Sequence, residues 1–216
     1  MSEPSTSSAR NARSRDHVAS EKYRAVSLVE LNQRLLSLAD LSIGSRVLEI
    51  GAGTGELTEW SHSMSVQQGR SSSLEPSASM IDVLEQRMRR VGLDNVSTIV
   101  TPIEAADLPA SAFDAVLGRY VLMLIADPVS AITKIRLSLR DAARAAMAVF
   151  SSPVQNPLFS VPSEILRRRA GLDASIGLSA NLFRLGDASQ LKAVFIASGY
   201  EQVTLSRSRA HFDCKV

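Results

Sequence analysis

Three glycines stand at alternate positions, Gly51, Gly53 and Gly55, between a short β-favouring run and a helix-compatible segment. A backbone without Cβ atoms can make a tight turn there and lets a ligand lie directly against the main chain. A dinucleotide fingerprint needs glycine at position 56, where the chain has Glu56, and no Gly-Lys-Ser/Thr follows to form a nucleotide P-loop. The spacing predicts a ligand-binding loop that matches neither of these phosphate-binding patterns.

Two carboxylates flank this loop and restrict the kinds of ligand that it can bind. Glu49 lies two residues before Gly51, where it would repel a pyrophosphate and attract a cation. Glu75 lies twenty residues beyond Gly55, at the end of the next strand, where a carboxylate in such folds accepts hydrogen bonds from ribose hydroxyls. The two residues together predict a nucleoside that carries positive charge. Glu49 has a second interpretation, in which it only orients the glycine loop.

Strand and helix signals alternate along most of the chain. Short β-favouring runs precede segments with apolar residues at helical spacing, a pattern typical of a mostly parallel sheet with helices on both faces. The predicted strands are Arg46–Ile50, Ser71–Glu75, Val96–Val100, Phe113–Leu117, Ala145–Phe150 and Gln202–Ser206; the predicted helices are Tyr23–Asp40, a segment from Glu56, Pro76–Arg90, Val129–Leu139 and Asp187–Ser198. We predict an α/β fold.

The domain organisation follows from where the alternation of predicted strands and helices begins and ends. Residues 1–22 are polar, rich in Ser and Arg and without an apolar face, so we predict a disordered tail. Residues 23–216 form one predicted domain. After Phe150 the segment SSPVQNPLFSVP has three prolines that argue against a continuing strand or helix, and we predict a lid or insertion at about 151–186.

Several motifs in series resemble the class I S-adenosylmethionine-dependent methyltransferases, in the small-molecule branch that includes quinone-biosynthesis C-methyltransferases. VLEIGAGTGELT is similar to that family's first motif, and Leu74-Glu75-Pro76-Ser77 with Met80 to its ribose-binding segment. IEAADLP at 103–109 is similar to its third motif, AFDAVLGRYVLMLIADP at 112–128 to its fourth strand and next helix, and Asn156-Pro157 to a dipeptide after strand five. The resemblance covers about 45–205.

The resemblance implies a Rossmann-like, mostly parallel sheet and S-adenosyl-L-methionine as the cofactor. It implies that Glu104 accepts a hydrogen bond from the adenine amino group, with Ile103 and Ala105 beside the ring. The cofactor-binding residues that it implies are Glu49, Gly51, Ala52, Gly53, Gly55, Glu75, Pro76, Met80, Ile103, Glu104, Ala105 and Arg119. Met80 also lies on an apolar helical stripe, so core packing is its alternative role.

Two departures from the family pattern carry structural predictions. Before strand five the family has a Pro-Gly-Gly turn, whereas this chain has Arg140-Asp141-Ala142-Ala143, which predicts a looser connection or a longer preceding helix. Beyond Leu205 only SRSRAHFDCKV remains, so we predict that the seventh strand is missing or stunted. An unpaired sheet edge attracts partner chains, and homo- or hetero-oligomers through this edge are the resulting expectation.

The sequence says less about which residues bind the molecule that would accept the methyl group. Arg119 and Tyr120 follow strand four, at the carboxyl edge where open α/β sheets bind ligands, and we expect Tyr120 and Met123 to face the substrate. Arg119 has solvent exposure as its alternative. The three histidines, His17, His62 and His211, lie outside the 120–186 region expected to line the substrate cavity, so no catalytic residue is assigned.

The amino-acid composition argues against several classes of protein and partner. The 24 basic and 22 acidic residues leave a net charge of +2, which argues against a nucleic-acid partner. One cysteine and no metal-ligand spacing of Cys and His argue against a disulfide framework and a metal site. No stretch of eighteen apolar residues and no secretory signal are present, so we predict a cytoplasmic protein with no membrane partner.

Two functions follow as hypotheses. The first is methyl transfer from S-adenosylmethionine to a small-molecule acceptor by in-line displacement, with positioning as the main catalytic contribution. The alternative is a cofactor-binding but non-methylating partner subunit, whose incomplete sheet is completed by another chain.

Overall fold

The computed structural model describes residues 26–64, 69–171 and 182–208, and the structural statements that follow concern these residues. The predicted tail at 1–22 lies outside them. The strands are β1 Arg46–Ile50, β2 Arg70–Leu74, β3 Val96–Ile99, β4 Phe113–Arg119 and β5 Leu139–Ala148. The helices are α1 Val29–Ala39, α2 Glu56–Met64, α3 Ala78–Val91, α4 Pro128–Ser138, α5 Pro157–Arg169 and α6 Ala188–Ala197, with one-turn 3-10 helices at Leu122–Leu124 and Pro153–Gln155.

The five described strands form one parallel sheet in the order β3-β2-β1-β4-β5. The chain builds the sheet outward from β1 to β3, then returns to the other side of β1 to add β4 and β5. The strand order therefore reverses between β1 and β4, and the carboxyl ends of these strands open a crevice, the usual ligand position in open α/β sheets. This confirms the predicted α/β, Rossmann-like fold.

Apolar layers cover both faces of the sheet. On one face Leu48 and Val116 pack with Ile132 of α4, and all three are fully buried. On the other face Val47 and Leu117 pack with Leu35 of α1. Because β1 and β4 bury side chains on both faces, apolar residues stand next to each other in them, as in Val47-Leu48 and Ala115-Val116-Leu117, and this favours a buried strand. Truncating such a leucine to alanine costs about 2–5 kcal/mol.

The connection into β5 differs from the prediction. The preceding helix is not longer, since α4 ends at Ser138 and the chain enters β5 directly at Leu139. The strand was predicted only from Ala145, because residues 140–144 are mostly exposed and have no apolar alternation. Of these residues only Arg144 has a partner on β4: the register passes from the Phe113–Leu139 pair directly to the Ala115–Arg144 pair, and Ala142 takes a positive φ of 63° in the bulge between them. The pairs on either side of the bulge, rather than local propensity, place this part of the chain in β5.

The predicted sixth strand, Gln202–Ser206, is wrong. Residues 202–208 belong to no strand, and Leu205 is 41% exposed. A strand needs a neighbour for its backbone hydrogen bonds, and among the described residues nothing pairs with the outer edge of β5. The segment instead passes α1, where Arg34 Nε donates to Ser206 Oγ at 3.3 Å.

The segment predicted as irregular from residue 151 contains a helix. Pro157 takes the first position of α5, where the missing N–H costs nothing, and a second proline, Pro162, lies inside the helix. A lid role for about 151–186 stays a prediction, and 172–181 lie outside the described residues. The final helix follows the prediction: Asp187 Oδ1 caps α6 by accepting from Ser189 N and Gln190 N at 2.9 and 3.0 Å.

Candidate functional site

The glycine loop lies at the carboxyl end of β1, beside the strand-order reversal. Gly51, Gly53 and Gly55 all have positive φ, at 62°, 56° and 82°, a region that other residues rarely adopt. Steric contacts around the loop are a second reason why glycine is required. A Cβ on Gly51 would meet Val121 Cγ2 at 2.5 Å, and one on Gly55 would meet Leu84 Cγ at 2.7 Å. The loop therefore needs glycine for its backbone angles and for its packing at once.

Glu75 follows β2 and reaches across to this loop. Its Oε2 accepts a hydrogen bond from Gly53 N at 3.1 Å and its Oε1 accepts from Ser77 N at 3.0 Å. Burial raises the pKa of this carboxyl above its usual value, and the two backbone donors oppose that rise. The structure thus brings together Gly53 and Glu75, which the sequence separates by 22 residues.

Glu49 is buried on β1 and is 4% exposed. Thr58 Oγ1, on α2, donates to Glu49 Oε2 at 2.5 Å, a contact that supports the loop-orienting interpretation. Burial raises the pKa of Glu49 to about 7; Thr58 and the positive charge of Arg119 lower it, while Glu56 and Glu75 raise it.

Arg119 is paired within the protein rather than facing solvent. Its two terminal nitrogens donate to Asn32 Oδ1 of α1 and Glu56 Oε2 of α2, each at 2.8 Å. The side chains of Arg119 and Glu56 are 12% and 9% exposed. This buried ion pair ties the end of β4 to the helix that starts directly after Gly55.

Arg87 is a residue of the site that the sequence analysis missed. It lies on α3, is 7% exposed, and donates from Nε to the carbonyl oxygen of Thr54 at 2.9 Å and from NH1 to Glu59 Oε2 at 2.8 Å. It therefore holds the glycine loop through its main chain. Its position in the sequence could have indicated burial, since Arg87 lies on the apolar stripe of α3 three residues after Leu84.

The segment predicted to bracket adenine follows β3. Ile103 is 5% exposed and packs in the core, whereas Glu104 and Ala105 are exposed. Lys134 of α4 donates from Nζ to the carbonyl oxygens of Ile103, Glu104 and Ala106 at 3.3, 2.7 and 2.9 Å. One ammonium group thereby holds the whole turn, which leaves the Glu104 carboxylate open to solvent.

The other predicted cofactor residues lie in the glycine loop and at the start of α3. Ala52 is 7% exposed and its N–H donates to the carbonyl oxygen of Leu74 at 3.1 Å, which joins the loop to β2. Pro76 is exposed, and Met80 is half-buried in the first turn of α3. Their predicted cofactor contacts stay predictions.

An aromatic cluster occupies the carboxyl ends of β4 and β5. Tyr120 has a positive φ of 59°, and its ring stacks on Phe150 with centroids 4.2 Å apart and an angle of 8° between the planes. Phe159 of α5 and Phe183 lie against Phe150 at 4.9 and 6.1 Å in tilted and edge arrangements. The sequence analysis predicted Tyr120 as a substrate contact and missed the three phenylalanines, because nothing in their spacing shows that they meet.

Two residues near the predicted substrate side are buried. Met123 is 1% exposed and packs in the core beside Leu122, and its predicted substrate contact stays a prediction. His62 is also fully buried, with Nδ1 3.1 Å from the carbonyl oxygen of Thr58.

Among the residues of the described ranges, no group of three or more His, Cys, Asp and Glu side chains is placed to hold a metal ion. None of the helices in the described parts is long and apolar enough to cross a membrane.

Comparison with known proteins gives the family. Residues 41–170 match the family model described as Methyltransferase domain. The chain belongs to this methyltransferase family. Membership implies S-adenosylmethionine as the cofactor, which confirms the family and the cofactor predicted from the motifs.

Two relatives and one solved structure illustrate the similarity. The chain is 30% identical over 124 residues to the aklanonic acid methyltransferase DauC of Streptomyces sp. (strain C5), a match that spans 57% of this chain and 55% of DauC. It is 27% identical over 173 residues to the ubiquinone/menaquinone biosynthesis C-methyltransferase UbiE of Yersinia enterocolitica, spanning 76% of this chain and 69% of UbiE. The chain thus spans just over half the length of DauC.

The solved structure shows the fold. A putative S-adenosyl-L-methionine-dependent methyltransferase of Methanococcus maripaludis aligns with a TM-score of 0.71, at 12% identity over 97% of this chain and 93% of that one.

The residues of the crevice fit this methyltransferase cofactor on chemical grounds. Glu49 and Glu75 are buried carboxylates beside a loop whose three glycines have positive φ. Carboxylates suit the hydroxyls of a ribose and a positively charged sulfonium, and they would repel a pyrophosphate.

Proposed function

We propose that this chain transfers the methyl group of S-adenosylmethionine to a small acceptor that carries a planar aromatic ring. The contact between Glu75 and the glycine loop carries the cofactor part of the proposal. It holds a buried carboxylate against the glycine loop at the carboxyl end of β2, where a ribose would donate to it. DauC and UbiE are named as methyltransferases, and we propose the same reaction class for this chain.

The proposed roles of the cofactor residues follow their positions. Glu75 would hold the ribose, Glu104 with Ala105 the adenine, and the glycine loop the methionyl part. Pro76, Met80 and Ala52 would flank the nucleoside, while Ile103 would support the adenine turn from the core side. When bound, the cofactor would supply a methyl group on a sulfonium: an acceptor lone pair would attack the methyl carbon in line, the S–CH3 bond would break, and S-adenosylhomocysteine would leave with that bond's electron pair. The protein's contribution is then to hold the acceptor near that methyl and to exclude water.

The stack of Tyr120 on Phe150 supports a planar aromatic acceptor. Both rings are half-buried at the carboxyl ends of β4 and β5, next to the crevice, and Phe159 and Phe183 surround them. Aromatic faces and edges favour another flat ring over a flexible aliphatic chain. An acceptor that is already nucleophilic, such as a phenolate or an enol, needs no general base, which fits the burial of His62.

The cofactor part is tested by calorimetric titration with S-adenosylmethionine and S-adenosylhomocysteine. We expect the wild type to bind both, and Glu75→Gln to weaken binding about tenfold or more, since hydrogen bonds to charged groups contribute about 1.5–3 kcal/mol. Asp82→Asn, on the exposed side of α3, is the matched control and should bind as the wild type does. Equal affinities for Glu75→Gln and the control would contradict the assigned ribose role.

The acceptor part is tested by turnover. A panel of planar phenols and quinols is compared with aliphatic amines and carboxylates, and formation of S-adenosylhomocysteine is followed. We expect turnover with aromatic acceptors, and Phe150→Leu should raise the acceptor KM while leaving cofactor affinity unchanged. Turnover confined to the aliphatic compounds would reject the aromatic acceptor.

A partner subunit is a second candidate function, favoured by the edge strand. Within the described residues β5 has no neighbour on its outer side, which leaves backbone groups open to another chain. Size-exclusion chromatography combined with turnover separates the two candidates. Full turnover by a monomer would eliminate the partner subunit, whereas cofactor binding without turnover would support it.

A further inference from the structure

Two consecutive residues of the glycine loop, Thr54 and Gly55, are held by α3. Arg87 Nε donates to the carbonyl oxygen of Thr54 at 2.9 Å, over a sequence separation of 33 residues. Leu84, one helical turn before Arg87, packs so closely on Gly55 that a Cβ built there would meet its Cγ at 2.7 Å. One face of α3 therefore fixes the end of the loop, by a hydrogen bond to its main chain and by packing.

The hydrogen bond to Thr54 comes from a guanidinium that is itself fixed. Arg87 is 7% exposed, and its NH1 donates to Glu59 Oε2 of α2 at 2.8 Å. A charged donor in a buried position makes a stronger hydrogen bond than a neutral one. The hydroxyl of Thr54 is buried and has no hydrogen-bond partner among the described residues, so the carbonyl is where this residue is held.

The glycine loop needs such a hold because its backbone is permissive. Gly51, Gly53 and Gly55 have positive φ, and glycine has more conformations available in a loop than any other residue. A loop that samples several conformations binds its ligand with an affinity reduced by the fraction of molecules in the competent conformation. Contacts that order the loop before the ligand arrives remove this cost.

Resting on the proposed cofactor site, we infer that Arg87 is a positioning residue for S-adenosylmethionine. Its hydrogen bond to the Thr54 carbonyl keeps the glycine loop in the conformation that binds the methionyl part of the cofactor, and Glu59 keeps the guanidinium on that carbonyl. Arg87 acts through the main chain of the loop. If the loop without this bond is competent in about one molecule in ten, cofactor affinity falls about tenfold.

Calorimetric titration of Arg87→Met tests the inference with two probes. One is S-adenosylhomocysteine, and the other is methylthioadenosine, which has the same nucleoside but lacks the amino-acid part. Arg87→Met should bind S-adenosylhomocysteine about tenfold more weakly than the wild type and methylthioadenosine with unchanged affinity, because other residues hold the ribose and adenine. Arg90→Met, on the exposed side of α3, is the matched control and should bind both probes as the wild type does.

Two further variants and one further measurement separate positioning from stability. Met88→Ala removes buried packing from α3 but leaves the bond to Thr54, so it should lower the free energy of unfolding without changing the affinity for S-adenosylhomocysteine. Arg87→Lys keeps the charge but lacks the fork that reaches two acceptors, so its loss should be intermediate, and it keeps the test decisive if Arg87→Met does not fold. In both Arg87 variants, amide hydrogen exchange at 53–56 should be faster in the free protein and slow again with S-adenosylhomocysteine bound.

The outcomes separate this inference from the proposed function. A selective loss of affinity for S-adenosylhomocysteine in the Arg87 variants, with faster exchange in the loop, supports the inference. Wild-type affinity in these variants, an equal loss for both probes, or the same loss in Met88→Ala rejects the inference and leaves the proposed function standing. A wild type that binds neither S-adenosylmethionine nor S-adenosylhomocysteine rejects the proposed function, and the inference falls with it.

Discussion

Replacing Gly51 with alanine tests the physical account of the glycine loop. The backbone φ of 62° is unfavourable for a residue with a Cβ, at a cost of about 1–2 kcal/mol. The added Cβ would also meet Val121 Cγ2 at 2.5 Å and Val121 Cβ at 2.8 Å. Overpacking of this kind costs about 1–3 kcal/mol. Gly51→Ala should therefore lower the free energy of unfolding by about 2–5 kcal/mol.

Gly92→Ala is the matched control. Gly92 ends α3 with a φ of 73°, and nothing lies within 4 Å of a Cβ built there. It has the backbone cost without the clash, so we expect a loss of about 1–2 kcal/mol. Urea unfolding followed by circular dichroism, with linear extrapolation to water, measures both losses.

A double variant assigns the difference to one contact. Val121→Ala removes Cγ2 and leaves Cβ at 2.8 Å, so it relieves part of the clash. The loss for Gly51→Ala/Val121→Ala should be smaller than the sum of the single losses by about 1 kcal/mol, since residues in contact are not additive. Equal losses for Gly51→Ala and Gly92→Ala, or strict additivity with Val121→Ala, would refute the steric reasoning.

Three further predictions test other parts of the structure. Burial raises the folded-state pKa of Glu49 from 4.5 to about 7, so the folded protein binds more protons than the unfolded chain between these values and its stability falls as pH rises through them. Between pH 4 and pH 8 the free energy of unfolding should fall by about 3 kcal/mol less in Glu49→Gln than in the wild type, as measured by urea unfolding. Equal falls in the two proteins would contradict this. Lys134→Met should speed amide hydrogen exchange around residues 103–106 and weaken cofactor binding several-fold, whereas the exposed Lys192→Met should do neither. Asp187→Ala, which removes the cap of α6, should cost about 1 kcal/mol in urea unfolding, and no loss would show that the cap is dispensable.

The elements that sequence reasoning placed well are those with local causes. β1 was predicted with the observed bounds because Val47, Leu48 and Ile50 stand directly before glycines that permit positive φ. The start of α6 was predicted because an aspartate before a helix accepts from the first backbone donors. Glu75 was found because its distance from the loop follows from one strand-helix-strand repeat.

The elements placed badly depend on a neighbour. Residues 140–144 belong to β5 only because Leu139 and Arg144 pair with β4 on either side of a bulge. Gln202–Ser206 has the alternation of a strand, and the described structure offers it no partner. Alternation shows which side chains prefer burial, but backbone hydrogen bonding needs a second chain segment at the right distance.

The same division holds for the site. The sequence by itself determined the fold class, the family, and the positions of the glycine loop with its two carboxylates, since each rests on residues close together along the chain. Only the tertiary structure decided that Arg119 meets Asn32 and Glu56, and that Tyr120 stacks on Phe150. Charge states and ring contacts depend on burial and on side chains tens of residues away along the chain. The spacing of residues in the sequence does not show which distant side chains are buried together.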